Sequence, residues 1–493
     1  MTFFRVFFSA IFGIAVCIAI TRRDNPAWRD ESWTMDRTYG SIIDPTLLPC
    51  CLIALILMAC FLAEKEYVSE TLLSFLLGIF ADICVYYVLL LLLLPLLRKW
   101  LSARTVAFLW IVPNILYITA QSAFAVDHPL LVLRLPAETD GIIFAVWAAG
   151  FAAVMIVGMV RHVRFRRLLL SDVRPADAVT EMQWKKIQTA SGSVLKKAPV
   201  RVVISENTVT PLTVGLFRRR MVFVLPDRKY APEELELVMR HELIHVLRCD
   251  SGTKFFLLFC KAACWFNPLM GPAMRRCSED LELSCDESVL EQSDAAERHR
   301  YAELILSAAG DERGFSTCLS ADARALGYRL RGIVEPKKKP VGGIVVGLTA
   351  IALLLCSNLV AFTYGEYKAA DEFFGGDAES VVLERETVFQ YNGSGYSRTY
   401  FAQAPDELLK YIGSLTVSHL AASYEFESEN ELHVFCSFTG TQKHFAIDLR
   451  DGAVFFVPFY ETRNNRHAYY LAQPVDWDYV MSLLEPVTEE VFY

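Results

Sequence analysis

The stretch "RHELIHVLRCD", residues 240–250, decides how this chain is interpreted. His241 and His245 are four residues apart, so on a helix both imidazoles project from one face. That spacing allows two ligands on one helix to reach a tetrahedral zinc ion. Glu242 would lie beside the metal, where it can take a proton from the attacking water and pass it to the leaving amine. The alternative is a surface helix that carries two histidines by chance, and the motif favours zinc.

The flanking sequence predicts the local fold. Residues 200–205 ("VRVVIS") and 220–226 ("RMVFVLP") have the composition of strands. The segment "APEELELVMRHELIHVL" then predicts a helix that begins at Pro232. The apolar segment 255–274 is broken by two prolines, so we predict a helix that lies against the membrane and does not span it.

A third ligand should come from a second helix, the acidic segment 275–292. Three carboxylates compete for this role: Glu279, Glu282 and Glu287. Glu282 and Asp286 are four residues apart and share a helix face. A carboxylate ligand often has a second carboxylate one turn away, which can bond a ligand histidine and fix its tautomer. The alternative is a solvated acidic face, and the residues by themselves leave the choice open.

The bulk composition indicates a membrane protein. The 493 residues are 54% hydrophobic and 21% charged, which is more apolar than is usual for soluble domains. A net charge of -8 and the lack of a long basic stripe predict no direct nucleic-acid binding. The 13 cysteines show neither zinc-knuckle nor disulfide spacing, so we expect buried apolar thiols.

Apolar runs long enough to span a bilayer occur at 3–20, 46–63, 71–97, 105–125, 141–160 and 341–362. The first run has a weak basic start and no cleavage pattern, so we predict a retained helix and not a signal peptide. Six spans place every basic loop on one side of the membrane, with the amino terminus outside. The predicted localisation is a bacterial-type plasma membrane, crossed several times.

The predicted fold class is a multi-domain membrane protein. It combines an α-helical transmembrane bundle, a cytoplasmic α+β zincin-like metalloprotease domain and a small extracellular α+β domain. The predicted layout is a transmembrane region of about five spans at 1–160, the metallopeptidase domain at 161–340, a final transmembrane helix at 341–362 and the outer, sensor-like domain at 363–493. Alternating strands, two helices and a hairpin turn at Asp451-Gly452 support the last assignment.

Several stretches resemble the integral-membrane zinc metallopeptidases of the BlaR/MecR type, the beta-lactam sensor/antirepressor family. They are "TPLTVGLFRRRMVFVLP", "HELIHVLRCD", "WFNPLM", "ELSCDE" and the membrane span after a basic linker, within roughly residues 140–365. By this resemblance, His241, His245 and Glu282 are the zinc ligands and Glu242 is the catalytic acid/base.

The resemblance also implies roles around the ligands. Arg248 and Asp250 match the charged tail after the second histidine, although a charge pair at the helix C-terminus is the alternative. Asp286 matches the acidic partner in the second motif. The strand 220–224 would be the edge to which an extended substrate adds. The basic linker 323–340, by analogy, is a candidate for self-cleavage.

The chain departs from the best-known members of the family in its last part. Those members end in a penicillin-binding sensor with Ser-x-x-Lys and a later Lys-Thr-Gly. Residues 363–493 contain neither motif and are too short for that domain. We therefore expect no beta-lactam acylation by this segment.

The expected function is a zinc endopeptidase that transduces an external signal by cleaving itself or a cytoplasmic protein. The expected partners are a protein substrate such as a winged-helix transcriptional repressor, membrane lipid and a second copy of the chain. One alternative is a housekeeping quality-control protease. The other is a non-catalytic receptor with structural zinc, and Glu242 argues against it because a structural site does not need a proton acceptor.

Overall fold

The computed structural model describes residues 3–24, 47–62, 73–117, 129–136, 139–191, 199–291, 293–309, 323–335, 342–357, 359–376, 378–390, 396–398, 400–420, 428, 430–459 and 467–486. The basic loops at 25–37 and 337–339, which contributed to the predicted orientation, lie outside these residues.

The α-helices in the described part are α1 (Phe3–Asp24), α2 (Leu47–Leu62), α3 (Leu73–Trp100), α4 (Ala103–Leu109), α5 (Asp140–Leu169), α6 (Ala178–Ala190), α7 (Pro232–Arg248), α8 (Asp250–Ala263), α9 (Met270–Val289), α10 (Ala295–Ala309), α11 (Ala323–Val334), α12 (Gly343–Cys356), α13 (Ala369–Phe374), α14 (Pro405–Ser414) and α15 (Trp477–Ser482).

The strands are β1 (Leu131–Leu135), β2 (Val173–Pro175), β3 (Arg201–Ser205), β4 (Leu212–Val214), β5 (Val222–Pro226), β6 (Val360–Lys368), β7 (Val381–Gln390), β8 (Tyr396–Arg398), β9 (Tyr400–Ala402), β10 (Thr416–Leu420), β11 (Asn430–Phe438), β12 (His444–Arg450), β13 (Ala453–Pro458), β14 (His467–Leu471) and β15 (Leu484–Pro486).

Two helices in the described part are long and apolar enough to cross a membrane. They are α3, with a mean hydropathy of 2.5 from Leu76 onward, and α5, with a mean hydropathy of 2.4. The apolar stretches Arg5–Thr21 of α1 and Gly343–Cys356 of α12 are shorter than this length. Each of these helices coincides with a predicted span, but a bundle of six spans stays a prediction.

Two of the predicted spans are not single helices. The run 105–125 begins within α4 and continues as a 3-10 helix at Val112–Tyr117. Pro113 lies in this second part, and its missing N–H cannot extend the hydrogen-bond ladder of α4. The run 341–362 forms α12 and passes into β6 at Val360. The prediction of one helix over the whole run 341–362 is wrong, because apolar composition alone does not distinguish a helix from a strand that follows it.

Helices α1 and α12 pack closely through small residues. An added Cβ at Gly13 would lie 2.8 Å from the carbonyl oxygen of Gly347, and one at Gly347 would lie 2.7 Å from that of Gly13. Arg5 Nη2 donates to the Leu354 and Leu355 carbonyl oxygens at 3.0 and 2.9 Å, where the end of α12 leaves carbonyls unpaired. Close backbone approach of small residues is typical of helix pairs in membranes.

The metallopeptidase region contains a four-stranded sheet in the order β2-β3-β5-β4. Strand β5 is fully buried and pairs with β3 in parallel and with β4 in antiparallel orientation. The prediction that 220–224 forms the edge strand is therefore wrong. A continuous apolar run indicates a central strand, and the edge strands are β2 and β4. Trp184 of α6 and Phe223 of β5 pack with ring centroids 4.6 Å apart and join helix to sheet.

Helix α8 packs against α5, one of the two long apolar helices. Trp147 of α5 donates to the Ala263 carbonyl oxygen at 2.9 Å, and Phe151 of α5 meets Phe259 edge-on at 5.7 Å. The chain then turns at Asn267, whose Nδ2 lies 2.9 Å from Cys84 Sγ of α3. The segment 255–274 is thus the end of α8, a turn and the start of α9, and the prediction of one helix for this segment is wrong.

A buried carboxylate connects α9 to helices that precede and follow it in the chain. Asp280 accepts hydrogen bonds from Arg98 Nε at 2.9 Å, Trp110 Nε1 at 2.8 Å and Tyr328 Oη at 3.2 Å. Its side chain has no exposed surface. Because a buried charge needs such partners, this cluster fixes α9 relative to α3, α4 and α11.

The C-terminal domain, predicted as the outer domain, is built on a nine-stranded sheet in the order β1-β6-β10-β14-β13-β12-β11-β7-β8. Helices α13 and α14 pack on one face, where Phe373 stacks on Phe456 at 5.2 Å. The predicted hairpin turn at Asp451-Gly452 joins β12 to β13. Strand β1 pairs in parallel with β6 although it precedes α5 in the chain, which the sequence did not predict.

We expect Gly347→Ala to destabilise the chain, because the added methyl group would force α1 and α12 apart. Overpacking of this kind costs about 1–3 kcal/mol. The measurement is the thermal unfolding midpoint of the detergent-purified chain. Gly78→Ala is the matched control, since no atom lies within 4 Å of an added Cβ there. Equal midpoints for the two variants would contradict the α1–α12 packing.

Candidate metal centre

Helix α7 presents its two histidines side by side. The Nε2 atoms of His241 and His245 are 3.0 Å apart, and the rings meet nearly at right angles. The helix starts with Pro232 in its first turn and ends at Cys249, which has a left-handed φ of 55°. This conformation turns the chain directly into α8, so that Asp250 at its start lies next to His245.

One carboxylate of α9 faces both imidazoles. Glu282 Oε2 lies 3.7 Å from His241 Nε2 and 3.5 Å from His245 Nε2. The two competing carboxylates have other partners. Glu279 forms ion pairs with Arg98 and Arg276. Glu287 accepts a hydrogen bond from the Ala103 backbone N–H at 3.1 Å. The contacts with Arg98 and Ala103 lie on the side of α9 that faces α3 and α4.

These three donor atoms fit a tetrahedrally bound divalent metal. Nitrogen and oxygen ligands lie about 2.0–2.2 Å from such an ion, so two donors are about 3.3–3.5 Å apart. The observed separations of 3.0, 3.5 and 3.7 Å surround that value. Two neutral nitrogens and one carboxylate are also a common donor set for a catalytic metal with one open position.

The second nitrogen of His245 is occupied by a buried carboxylate. Asp250 Oδ2 lies 2.6 Å from His245 Nδ1. Arg248 Nε donates to the other oxygen of Asp250 at 3.1 Å, and Arg248 Nη1 donates to Ser284 Oγ at 3.2 Å. Arg248 and Asp250 are thus parts of the centre and not only a charge pair at a helix end.

The second nitrogen of His241 leads into a longer network. Its Nδ1 lies 2.7 Å from the hydroxyl of Tyr301, which donates to Asp286 Oδ1 at 2.8 Å. Arg329 then donates to both oxygens of Asp286, from Nε at 2.7 Å and Nη2 at 2.8 Å. Since Tyr301 and Asp250 occupy the Nδ1 atoms, both Nε2 lone pairs are left for a metal.

Glu242 lies between this centre and the sheet edge. Its side chain is buried, and Thr213 Oγ1 of β4 donates to Glu242 Oε2 at 2.8 Å. The carboxylate is therefore held beside the edge strand, within the cavity of about 110 Å³ that His241 and His245 also line.

The electrostatics of the centre favour positive charge. Burial opposes the charged form of His241, but Cys285 and Glu282 outweigh it and raise its pKa to about 10. Burial likewise opposes the charge of Asp250, yet Arg248 and His245 lower the pKa of this carboxyl. A site whose carboxylates stay ionised attracts cations, whether protons or a divalent metal.

The sequence missed several residues of this centre. Cys285, predicted as a buried apolar thiol, lies with its ligand atom within 4.8 Å of those of both histidines, and its Sγ donates to the His241 carbonyl oxygen at 3.4 Å. Its position three residues after Glu282 was the available signal. No sequence signal indicated Tyr301 and Arg329, because these residues lie on α10 and α11, which carry neither of the two motifs.

A large cleft opens from the centre toward the apolar helices. It has a volume of about 720 Å³ and lies between α5, β4, α8, α9 and α11. Glu282, Thr213 and Arg329 line both this cleft and the smaller cavity. The predicted self-cleavage linker forms α11 over 323–334, with Arg329 buried, so this part of it is not an extended substrate.

Residues 114–330 match the family model described as BlaR1 peptidase M56. The regulatory protein BlaR1 of Bacillus licheniformis is 24% identical over 228 residues, which are 45% of this chain and 36% of that protein. The methicillin resistance mecR1 protein of Staphylococcus aureus is 29% identical over 111 residues, 22% of this chain and 19% of that protein. The matched regions are thus well under half of these relatives.

The family that this region matches is one of metallo-type peptidases, and the matched region contains the histidine pair and Glu282. Residues 114–330 thus resemble the BlaR1 peptidase M56 family, and the predicted resemblance to the BlaR/MecR-type family is confirmed.

We expect Glu282→Ala to reduce the affinity for Zn²⁺ by at least tenfold, because it removes the one carboxylate that faces both imidazoles. The affinity is measured by competition with a chelating dye on the detergent-purified chain. Glu279→Ala is the matched control, since Glu279 lies on the same helix but pairs with Arg98 and Arg276. Full Zn²⁺ affinity in Glu282→Ala, with loss in Cys285→Ala, would assign the third ligand to the thiol instead.

Proposed function

We propose that this chain is a membrane-embedded zinc endopeptidase. His241, His245 and Glu282 hold the metal, and Glu242 is the catalytic acid/base. The observation that carries the proposal is the convergence of two Nε2 atoms and one carboxylate oxygen, with both Nδ1 atoms already occupied. When bound, zinc would polarise the scissile carbonyl and make the attacking water more acidic.

The chain's own groups move the proton. Glu242 takes it from the water as the new carbon–oxygen bond forms, and gives it to the amine nitrogen as the carbon–nitrogen bond breaks. The hydrogen bond from Thr213 holds one oxygen of Glu242, which leaves the other oxygen to face the reacting atoms. Asp250 and Asp286 orient the histidines, the second of them through Tyr301, and Arg248 supports Asp250.

The edge strand β4 supports a mode of substrate binding. It pairs only with β5 in the described sheet, and its residues line the cleft beside Glu282. An extended peptide can add to such an edge through backbone hydrogen bonds, which recognise many sequences. We assign to β4 the role that the sequence gave to 220–224.

Contacts at the helix ends support the predicted orientation. At one end, Arg98 bonds Asp280, and Thr105 Oγ1 accepts from the Gly342 N–H at 3.0 Å, both beside the metallopeptidase domain. At the other end, Arg5 bonds carbonyls just before β6 of the outer sheet. Helix α12 thus has one end at each domain, which supports a cytoplasmic 161–340 and an extracellular 363–493.

We further propose that the protein transduces a signal. Strand β1 belongs to the outer sheet, and α5, which begins five residues later, lines the cleft with Met159, His162 and Phe165. The outer domain is therefore connected to the wall of the substrate cleft by one continuous helix. The proposed substrates are the chain itself or a cytoplasmic protein such as a winged-helix transcriptional repressor. Contact with lipid and a homodimer complete the proposed assembly.

We expect Glu242→Gln to abolish peptide cleavage and to retain zinc, because the amide cannot accept the proton and Glu242 is not a ligand. Cleavage is measured on a fluorescence-quenched peptide library with the purified full chain, and zinc by elemental analysis. Glu236→Gln, at a half-exposed position on the same helix, is the matched control. A Glu242→Gln variant that still cleaves would rule out this mechanism.

The β1 connection separates a transducer from a housekeeping protease. We expect that replacing 129–136 with a flexible linker of equal length changes the basal cleavage rate, because it frees α5 from the outer sheet. Replacing β8 at the opposite sheet edge is the control. Rates that stay equal in both replacements would favour the quality-control protease, whose cleavage does not depend on the outer domain.

A further inference from the structure

Arg329 of α11 is a buried cation with one nitrogen that Asp286 does not use. Its Nε and Nη2 donate to the two oxygens of Asp286 at 2.7 and 2.8 Å. The remaining nitrogen, Nη1, lies 3.8 Å from Glu282 Oε2, which is beyond hydrogen-bond distance. Only 7% of Arg329 is exposed, and Asp286 has no exposed surface. The carboxylate therefore fixes the plane of the guanidinium and directs Nη1 toward the metal side.

The position of this guanidinium matters because it borders both parts of the substrate cleft. Arg329 lines the cavity that contains His241, Glu242 and His245, and it also lines the larger cleft toward α5. A peptide that lies along β4 and crosses the centre would pass between the edge strand and α11. The small exposed part of Arg329 is thus presented to the place where the scissile bond would lie.

We propose that Arg329 is a catalytic residue that donates a hydrogen bond from Nη1 to the carbonyl oxygen of the scissile peptide. This inference rests on the proposed peptidase function. As water adds to the carbonyl carbon, that oxygen gains negative charge, and a fixed cationic donor then binds it more strongly than in the ground state. When the carbon–nitrogen bond breaks, the carbonyl reforms, and the amine nitrogen takes its proton from Glu242.

The residue type suits this role. A guanidinium is always charged and offers several donors in a rigid plane, so it can bind Asp286 with two of them and still present another. A lysine has one nitrogen on a flexible stem and cannot do both. The hydrogen bond that Nη1 donates would therefore be lost in Arg329→Lys, although the positive charge is kept.

The rival role is structural. Arg329 could act only by neutralising Asp286 and so holding Tyr301 and His241 in place. In that case its loss would weaken metal binding as strongly as loss of Asp286 does. A catalytic donor would instead change the rate of the chemical step and leave metal binding intact.

The test uses the purified full chain and the variants Arg329→Lys, Arg329→Gln, Arg329→Ala and Asp286→Asn, with Arg331→Gln as control because Arg331 is exposed on the same helix. For each variant, kcat and KM are measured on one quenched peptide, and Zn²⁺ affinity by dye competition. We expect Arg329→Gln and Arg329→Lys to lower kcat about 100-fold, the usual effect of losing one such donor, with KM and Zn²⁺ affinity within about threefold of the wild type.

Two further measurements keep the result clear. Guanidinium ions at millimolar concentration should restore part of the kcat of Arg329→Ala and have no such effect on Arg331→Gln. In the Glu242→Gln background, adding Arg329→Gln should change the peptide dissociation constant by less than about threefold. The reason is that the hydrogen bond from Nη1 strengthens only as negative charge develops on the carbonyl oxygen. If Arg329→Gln does not fold, the kcat and Zn²⁺ affinity of Arg329→Lys distinguish the catalytic role from the structural one.

Loss of Zn²⁺ affinity in Arg329→Lys to the same degree as in Asp286→Asn would overturn the catalytic role, and so would an unchanged kcat. These outcomes differ from a failure of the proposed function, in which the wild-type chain itself would show no cleavage that depends on zinc and on Glu242.

Discussion

The centre depends on the hydrogen bonds that occupy the outer nitrogens of two imidazoles. Asp250 binds His245 and the Tyr301 hydroxyl binds His241, which leaves two Nε2 atoms 3.0 Å apart beside Glu282. Two nitrogen lone pairs at that distance repel each other unless positive charge lies between them. The surrounding carboxylates supply the attraction for that charge. The site is therefore built for a cation, and the packing of the domain keeps its donors together.

The supporting groups come from separate helices, so the centre responds to helix positions. Asp250 opens α8, Tyr301 lies on α10, and Arg329 lies on α11. Helix α9, which carries Glu282, is connected by Asp280 to Arg98 at the end of α3. A shift of α3 relative to the domain would move Glu282 relative to α7. Buried ion pairs of this kind hold discrete arrangements, because an unpaired buried charge is costly.

The C-terminal domain is connected to the same centre by two routes. One passes from β6 through α12 to α11, where Arg329 contacts Asp286; the other passes from β1 through α5 to the cleft. The sheet itself contains no serine nucleophile motif of the penicillin-binding type. A domain that binds without acylation can still bias helix positions, since a ligand shifts an equilibrium by its differential affinity for the two states.

The sequence by itself determined the features that depend on neighbours along the chain. The strands near 200 and 222, the helix that begins at Pro232 and the shared face of His241 and His245 follow from local periodicity and turn chemistry. Tertiary structure alone decided that Glu282 faces the imidazoles and that β4 is the edge, because the rotation of α9 and the order of strands are set by packing between distant segments. Tyr301, Arg329 and β1 reach their partners across 60, 43 and 229 positions, and periodicity carries no information at that range.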